Sequence, residues 1–113
     1  MRIGLGILAA VIVLPIVALG VLGAMSHRAP ELGVVDGRLR PCPGSPNCVS
    51  TYAEDSEHHA NPLKFTGRTE EAIHKLRSVV EEMPRARVVT ASESYLHAEF
   101  TSRLFRFVDD VEF

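Results

Sequence analysis

Cysteine is scarce in this chain: two in 113 residues, Cys42 and Cys48, six positions apart. That scarcity removes several chemistries at once. The spacing is neither the redox C-x-x-C nor the haem-attaching C-x-x-C-H. A zinc site would need two further ligands, for which the adjacent His58 and His59 are the nearest candidates, and no second cysteine pair exists. Positive charge is also sparse, since 12 Lys and Arg stand against 14 Asp and Glu. They are scattered, with no basic run and no aromatic interleaving, which argues against a nucleic-acid partner. No phosphate-binding glycine loop, nucleophile elbow or metalloprotease helix is present. Internal repeats and low-complexity tracts are missing too. On these absences no catalytic residue, cofactor or metal is assigned.

Another absence is local. From Ile3 to Met25 no side chain is polar or charged. As a helix this stretch would be about 34 Å long at 1.5 Å per residue, slightly more than the ~30 Å hydrocarbon core of a bilayer. Pro15 and the glycines at 4, 6, 20 and 23 would weaken a soluble helix, but a transmembrane helix tolerates them. The run exceeds the roughly 7–15 apolar residues of a signal-peptide core, although Ala18-Leu19-Gly20 and Leu22-Gly23-Ala24 resemble cleavage sites. An uncleaved anchor over 3–25 is the expected form. Orientation is contested by charge: Arg2 precedes the segment, while Arg28, Arg38 and Arg40 follow it. A strict positive-inside count would leave the rest of the chain in the cytoplasm. The secretion-like start and the cysteine pair point the other way, to a domain on the extracytoplasmic, periplasmic side.

Residues 26–40 are rich in Gly, Pro and charge and read as a linker. Residues 41–113 then form one small domain. It begins with a loop over 41–62, because Pro41, Pro43, Pro46 and Pro62 remove amide donors and restrict their predecessors. A helix follows, with Thr69 as its cap, Glu70 and Glu71 in its first turn and Pro84 as its stop. Ala72, Ile73, Leu76, Val79, Val80 and Met83 make its apolar face. Glu71/Lys75 and Arg77/Glu81 pair on the exposed side, where His74 is solvated. Three strands are expected next: ARVVTAS (86–92), YLHAEFT (95–101) and LFRFVDDVEF (104–113). Leu96, Ala98, Phe100, Phe105 and Phe107 face a core, and Asp109-Asp110 breaks the alternation as a bulge. The fold class is α+β, a small antiparallel sheet covered by one helix behind an N-terminal transmembrane helix.

The cysteines have different meanings in different compartments. Outside the cytoplasm a Cys42–Cys48 disulfide is the best reading, since a proline-turned loop can bring their Cα atoms within about 7 Å. Inside it they would be two structural thiols. A nucleophilic cysteine would need a base and an orienting group, roles open to His97 and Glu99, but no spacing demands it. A second polar cluster comprises Tyr95, His97, Glu99 and Thr101 on one strand face, with Asp109, Asp110 and Glu112 nearby. A ligand surface drawn from Asn47, His58, Tyr95, His97, Asp109 and Asp110 is one reading. The other is a solvated sheet face, since one-sided antiparallel sheets alternate in this way.

PCPGSPNCVS (41–50), Asp55, His58, Pro62-Leu63, the helix and YLHAEFTSRLFRFVDDVEF (95–113) together resemble the family called domain of unknown function 1499. Its hallmarks are similar to P-C-P-x-S-P-N-C-V-S and F-x-D-D-V-E-F, and the likeness runs over most of 39–113. The resemblance implies membrane-anchored or secreted bacterial proteins with plastid relatives, and no established reaction. It also implies a further strand, with an S-A-S-R-x-G-x-S-D-x-G-x-N-R-like segment, and a closing helix beyond Phe113. By that standard the domain is C-terminally truncated. The expected function is a membrane-anchored extracytoplasmic domain that binds a protein or small-molecule partner or supports the envelope. The alternative is a hydrolase or metal-dependent enzyme using His58, His97 or the Asp109-Asp110 pair.

Overall fold

The computed structural model describes residues 2–26, 31–44 and 47–113. Arg28, Ser45 and Pro46, which entered the charge count and the loop reading, lie outside the described residues. The chain starts with helix α1, Arg2–Met25. From Gly6 on it is apolar on all sides and its side chains point outward: Val11 is 65% and Leu14 67% exposed. Pro15 sits inside it without ending it.

The stretch expected to be a bare linker contains a hairpin instead. Strands β1 (Val34–Val35) and β2 (Arg38–Leu39) pair antiparallel, with Val34 opposite Leu39 and Val35 opposite Arg38. Asp36 and Gly37 between them both have positive φ, 52° and 77°. That is the backbone twist a two-residue hairpin turn requires, and Asp-Gly is the sequence that supplies it most readily. The loop after it is held by backbone bonds around Ser50. The Ser50 N–H donates to the His58 carbonyl (2.7 Å) and the Ser50 carbonyl accepts from Ala60 (3.1 Å).

Helix α2 spans Thr69–Glu82. Its N-cap is Arg68, in extended backbone, with no side-chain cap bond, so Thr69 is the first helical residue and does not cap. Glu70 and Glu71 in the first turn meet the positive end of the helix dipole in its place. The Arg77–Glu81 pair forms at 2.7 Å. The buried stripe is narrower than the apolar periodicity suggests. Val80 is buried and Ile73 and Leu76 are partly covered; these three lie within about 60° of one another around the helix. Val79 at 57% and Met83 at 44% exposure fall outside it.

Strands β3 (Ala86–Ala91), β4 (Leu96–Thr101) and β5 (Val108–Glu112) form an antiparallel sheet in the order β3-β4-β5. The α+β class holds. One strand face, with Leu96 and Ala98 both at 0% exposure, meets Val80; Ala86, Val88, Phe100 and Phe113 surround that contact. The irregularity in the ladder falls in β3, between Val88 and Thr90, whereas β5 pairs in continuous register through Asp109 and Asp110. No bulge is needed there, because the strand starts only at Val108. Residues 103–107 are the connecting turn, in which Arg106 takes a left-handed φ of 59°. Phe105 and Phe107 therefore lie in that turn, edge to face with ring centroids 6.5 Å apart, and not among the residues packed around Leu96.

Candidate functional site

The alternation that sends Leu96 and Ala98 toward α2 sends Tyr95, His97 and Glu99 to the opposite face. The register pairs His97 with Glu112 and Glu99 with Asp110, so Asp110 and Glu112 stand on that second face as well. Its side chains are linked diagonally. His97 Nε2 and Asp110 Oδ1 are 2.7 Å apart. The Tyr95 hydroxyl donates to Glu112 Oε1 at 2.7 Å. Toward β3, Arg87 donates to Glu99 Oε2 through Nη2 at 2.6 Å.

This face is polar, and its centre is closed to solvent although Arg87 at its β3 side is exposed. His97 is buried at 9% exposure, and the Asp110 side chain retains 15%. The Gly33 N–H, at the entry to the β1–β2 hairpin, donates to Glu112 Oε1 at 2.6 Å. One carboxylate oxygen thus ties the segment that follows α1 to the last strand and accepts from a tyrosine at the same time. Tyr95 is held well above the usual phenol range, first because burial disfavours the phenolate and second because its hydroxyl donates to the Glu112 carboxylate. The expectation of a solvated face does not hold for His97, whose neighbours are the hydrogen-bonded ladder and not water.

The remaining candidates lie elsewhere. Asp109 shares the α2 face of β5 with Val111 and is exposed at its edge. Asn47 lies within the ring closed by Cys42 and Cys48, and His58 in the loop that follows it, against Ser50. Cys42 and Cys48 are bonded to each other, with Cα atoms 5.7 Å apart. Asp55 Oδ1 accepts from the backbone N–H of Glu57 and of His58 and lies 2.7 Å from His58 Nδ1. Those bonds, the one to the imidazole foremost, hold the Asp55 carboxyl below its usual range. His59 Nδ1 meets the Ala53 carbonyl at 3.0 Å. The two histidines are thus engaged with different partners. No group of three or more His, Cys, Asp or Glu among the described residues is placed to hold a metal ion.

The family model described as protein of unknown function (DUF1499) matches residues 38–113. The chain belongs to this family. Its DUF1499 region starts at Arg38, so it includes β2, the disulfide, α2 and the whole three-stranded sheet, while α1, Gly33 and β1 precede it. The bond between Gly33 and Glu112 therefore joins a segment outside the DUF1499 region to its last strand. Comparison with curated proteins and with solved structures gives no match.

Chemically, the best-defined element of the DUF1499 region is the His97–Asp110 pair. An imidazole donating from Nε2 to a carboxylate presents Nδ1 as an acceptor, which suits either a base or a ligand contact. The sequence names Glu112 only as a neighbour of the polar cluster, outside the ligand surface, and does not single out Gly33. Glu112 was legible from strand alternation once the turn before β5 is placed at 103–107. The Gly33 contribution is a backbone amide and carries no side-chain signal.

Proposed function

We propose that α1 is an uncleaved membrane anchor and that the DUF1499 domain lies on the extracytoplasmic side, where it binds a protein or small-molecule partner. The observation that carries the anchor reading is the outward display of apolar side chains along one long helix, Gly6–Met25, in which little besides Gly23 is covered. A helix of that kind needs lipid around it. The same hydropathy suits a signal sequence. The end of α1, however, is bound into the domain through Ser26, whose hydroxyl accepts from the Val108 N–H at 2.9 Å. Cleavage after Ala24 would spare that bond but remove Gly23, whose carbonyl accepts from the same hydroxyl at 2.7 Å.

The disulfide supports an oxidising compartment. A reporter active only outside the cytoplasm, fused after Phe113, is expected to be active. Intact-mass analysis of the membrane fraction is expected to retain residues 2–25 and to show no alkylated thiol without reductant. An active cytoplasmic reporter together with two alkylated cysteines would reject the assignment of side.

The second reading, a hydrolase, is favoured by one observation, the largely buried His97–Asp110 pair. It predicts a turnover detectable with the full chain and lost in His97→Gln. Binding without turnover is the outcome expected of the first reading.

A further inference from the structure

Gly23 is buried on a helix whose neighbouring side chains are exposed. A Cβ at this position would fall on the backbone carbonyl of Phe105. Only glycine lets the turn between β4 and β5 approach so closely. Three residues further on, Ser26 Oγ donates to the Gly23 carbonyl (2.7 Å) and accepts from the Val108 N–H (2.9 Å). The helix end thus meets the turn at its middle, Phe105, and at its C-terminal flank, Val108. Gly23 lies two residues before the end of the apolar span at Met25, about 3 Å along the helix axis. If the span fills the hydrocarbon layer, the turn sits at the boundary with the headgroups.

Its composition fits that depth. Leu104 at the tip is 73% exposed. Phe105 and Phe107 are half-buried, and Arg103 and Arg106 are exposed on either side of the apolar tip. The turn is itself rigid, since the Phe107 N–H donates to Ser102 Oγ at 2.9 Å and the Ser102 N–H to the Phe107 carbonyl at 2.8 Å. Aromatic and aliphatic side chains flanked by arginines, continuous with a membrane helix, match an anionic lipid surface.

We infer that the Arg103–Phe107 turn is a second membrane contact: Leu104 and Phe105 enter the interface while Arg103 and Arg106 meet anionic headgroups. The domain then lies against the bilayer in one orientation and does not swing on a tether. This inference rests on α1 spanning the membrane, and the test separates the two.

The chain has no tryptophan, so one introduced tryptophan gives an unambiguous fluorescence signal. The full chain carrying either Leu104→Trp or Val11→Trp is reconstituted in phosphatidylcholine–phosphatidylglycerol vesicles with bromine on shallow or deep acyl carbons. Leu104 is an exposed tip, and unfolding of its variant in detergent is expected to match the parent. The tryptophan at position 104 is expected to shift to shorter wavelength and to lose intensity mainly to shallow bromine; that at position 11 is expected to lose it mainly to deep bromine. Adding Arg103→Gln and Arg106→Gln is expected to reduce the quenching at 104 and leave that at 11 unchanged. Water-like, unquenched emission at 104 with normal deep quenching at 11 overturns the inference and spares the anchor. Unquenched emission at both positions overturns both.

Discussion

The two faces of the β3-β4-β5 sheet are built from the same strands on opposite principles. On the α2 face, Leu96, Ala98 and Val80 exclude water by apolar contact. On the other face, His97 is nearly as hidden, but its neighbours are Asp110, Tyr95 and Glu112, joined by hydrogen bonds of 2.7 Å. The apolar face gains from burial itself, at roughly 25 cal/mol per Å². The polar face gains little from burial, since each hydrogen bond there replaces one to water. Its role is positional. It attaches the segment after α1 to the last strand of the domain through Gly33 and Glu112.

That contrast can be broken by substitution. Leu96→Ala removes a fully buried side chain and is expected to cost about 2–5 kcal/mol in denaturant unfolding of the full chain in detergent. Glu112→Ala leaves the Tyr95 hydroxyl and the Gly33 amide without their acceptor, an expected cost of about 1–3 kcal/mol. A double-mutant cycle of Glu112→Ala with Tyr95→Phe should give a coupling of about 1 kcal/mol. A larger cost for Glu112→Ala than for Leu96→Ala would invert the comparison, making the polar face the core.

The effects grow smaller away from the sheet. Val79→Ser, on the half of the helical apolar stripe that lies in the open, is expected to change stability by less than about 0.5 kcal/mol. A cost near that of Leu96→Ala would mean that the stripe is covered by something further. The Asp55 carboxyl should titrate below its ordinary value of 3.8 when followed by NMR. Because its folded value is the depressed one, its contribution to stability is present above that ordinary value and is lost as pH falls through the folded value. His58→Ala should move the titration back up. Titration unchanged by that substitution would remove the imidazole as its cause.

Much of the architecture was legible along the chain. The apolar run marks α1, and apolar residues at helical spacing together with Pro84 mark α2 to within a residue. The alternation in YLHAEFT marks β4 and its two faces. The errors have separate causes. LFRFVDDVEF has strand composition throughout, yet four of its residues form a turn, because Ser102 closes on Phe107 and Arg106 takes a left-handed φ. The hairpin at 34–39 was readable, since Asp36-Gly37 between short apolar runs is a strong turn signal. It was outweighed by the Gly, Pro and charge around it.

Periodicity is imposed by covalent geometry, so apolar spacing alone marked both helices, β4, the apolar face of the sheet and the length of a candidate membrane helix. The cysteine spacing likewise permitted a disulfide before any fold was known. Three decisions belonged to the tertiary structure: that His97 is buried on the polar face, that Gly33 is tied to Glu112, and that the end of α1 docks on the β4–β5 turn. Those contacts join residues 79 and 82 positions apart. On one side of each is a main-chain group: the amide of Gly33, the amide of Val108, the carbonyl of Phe105. Nearly every residue carries such groups, so nothing in the residue types announces which of them will be used.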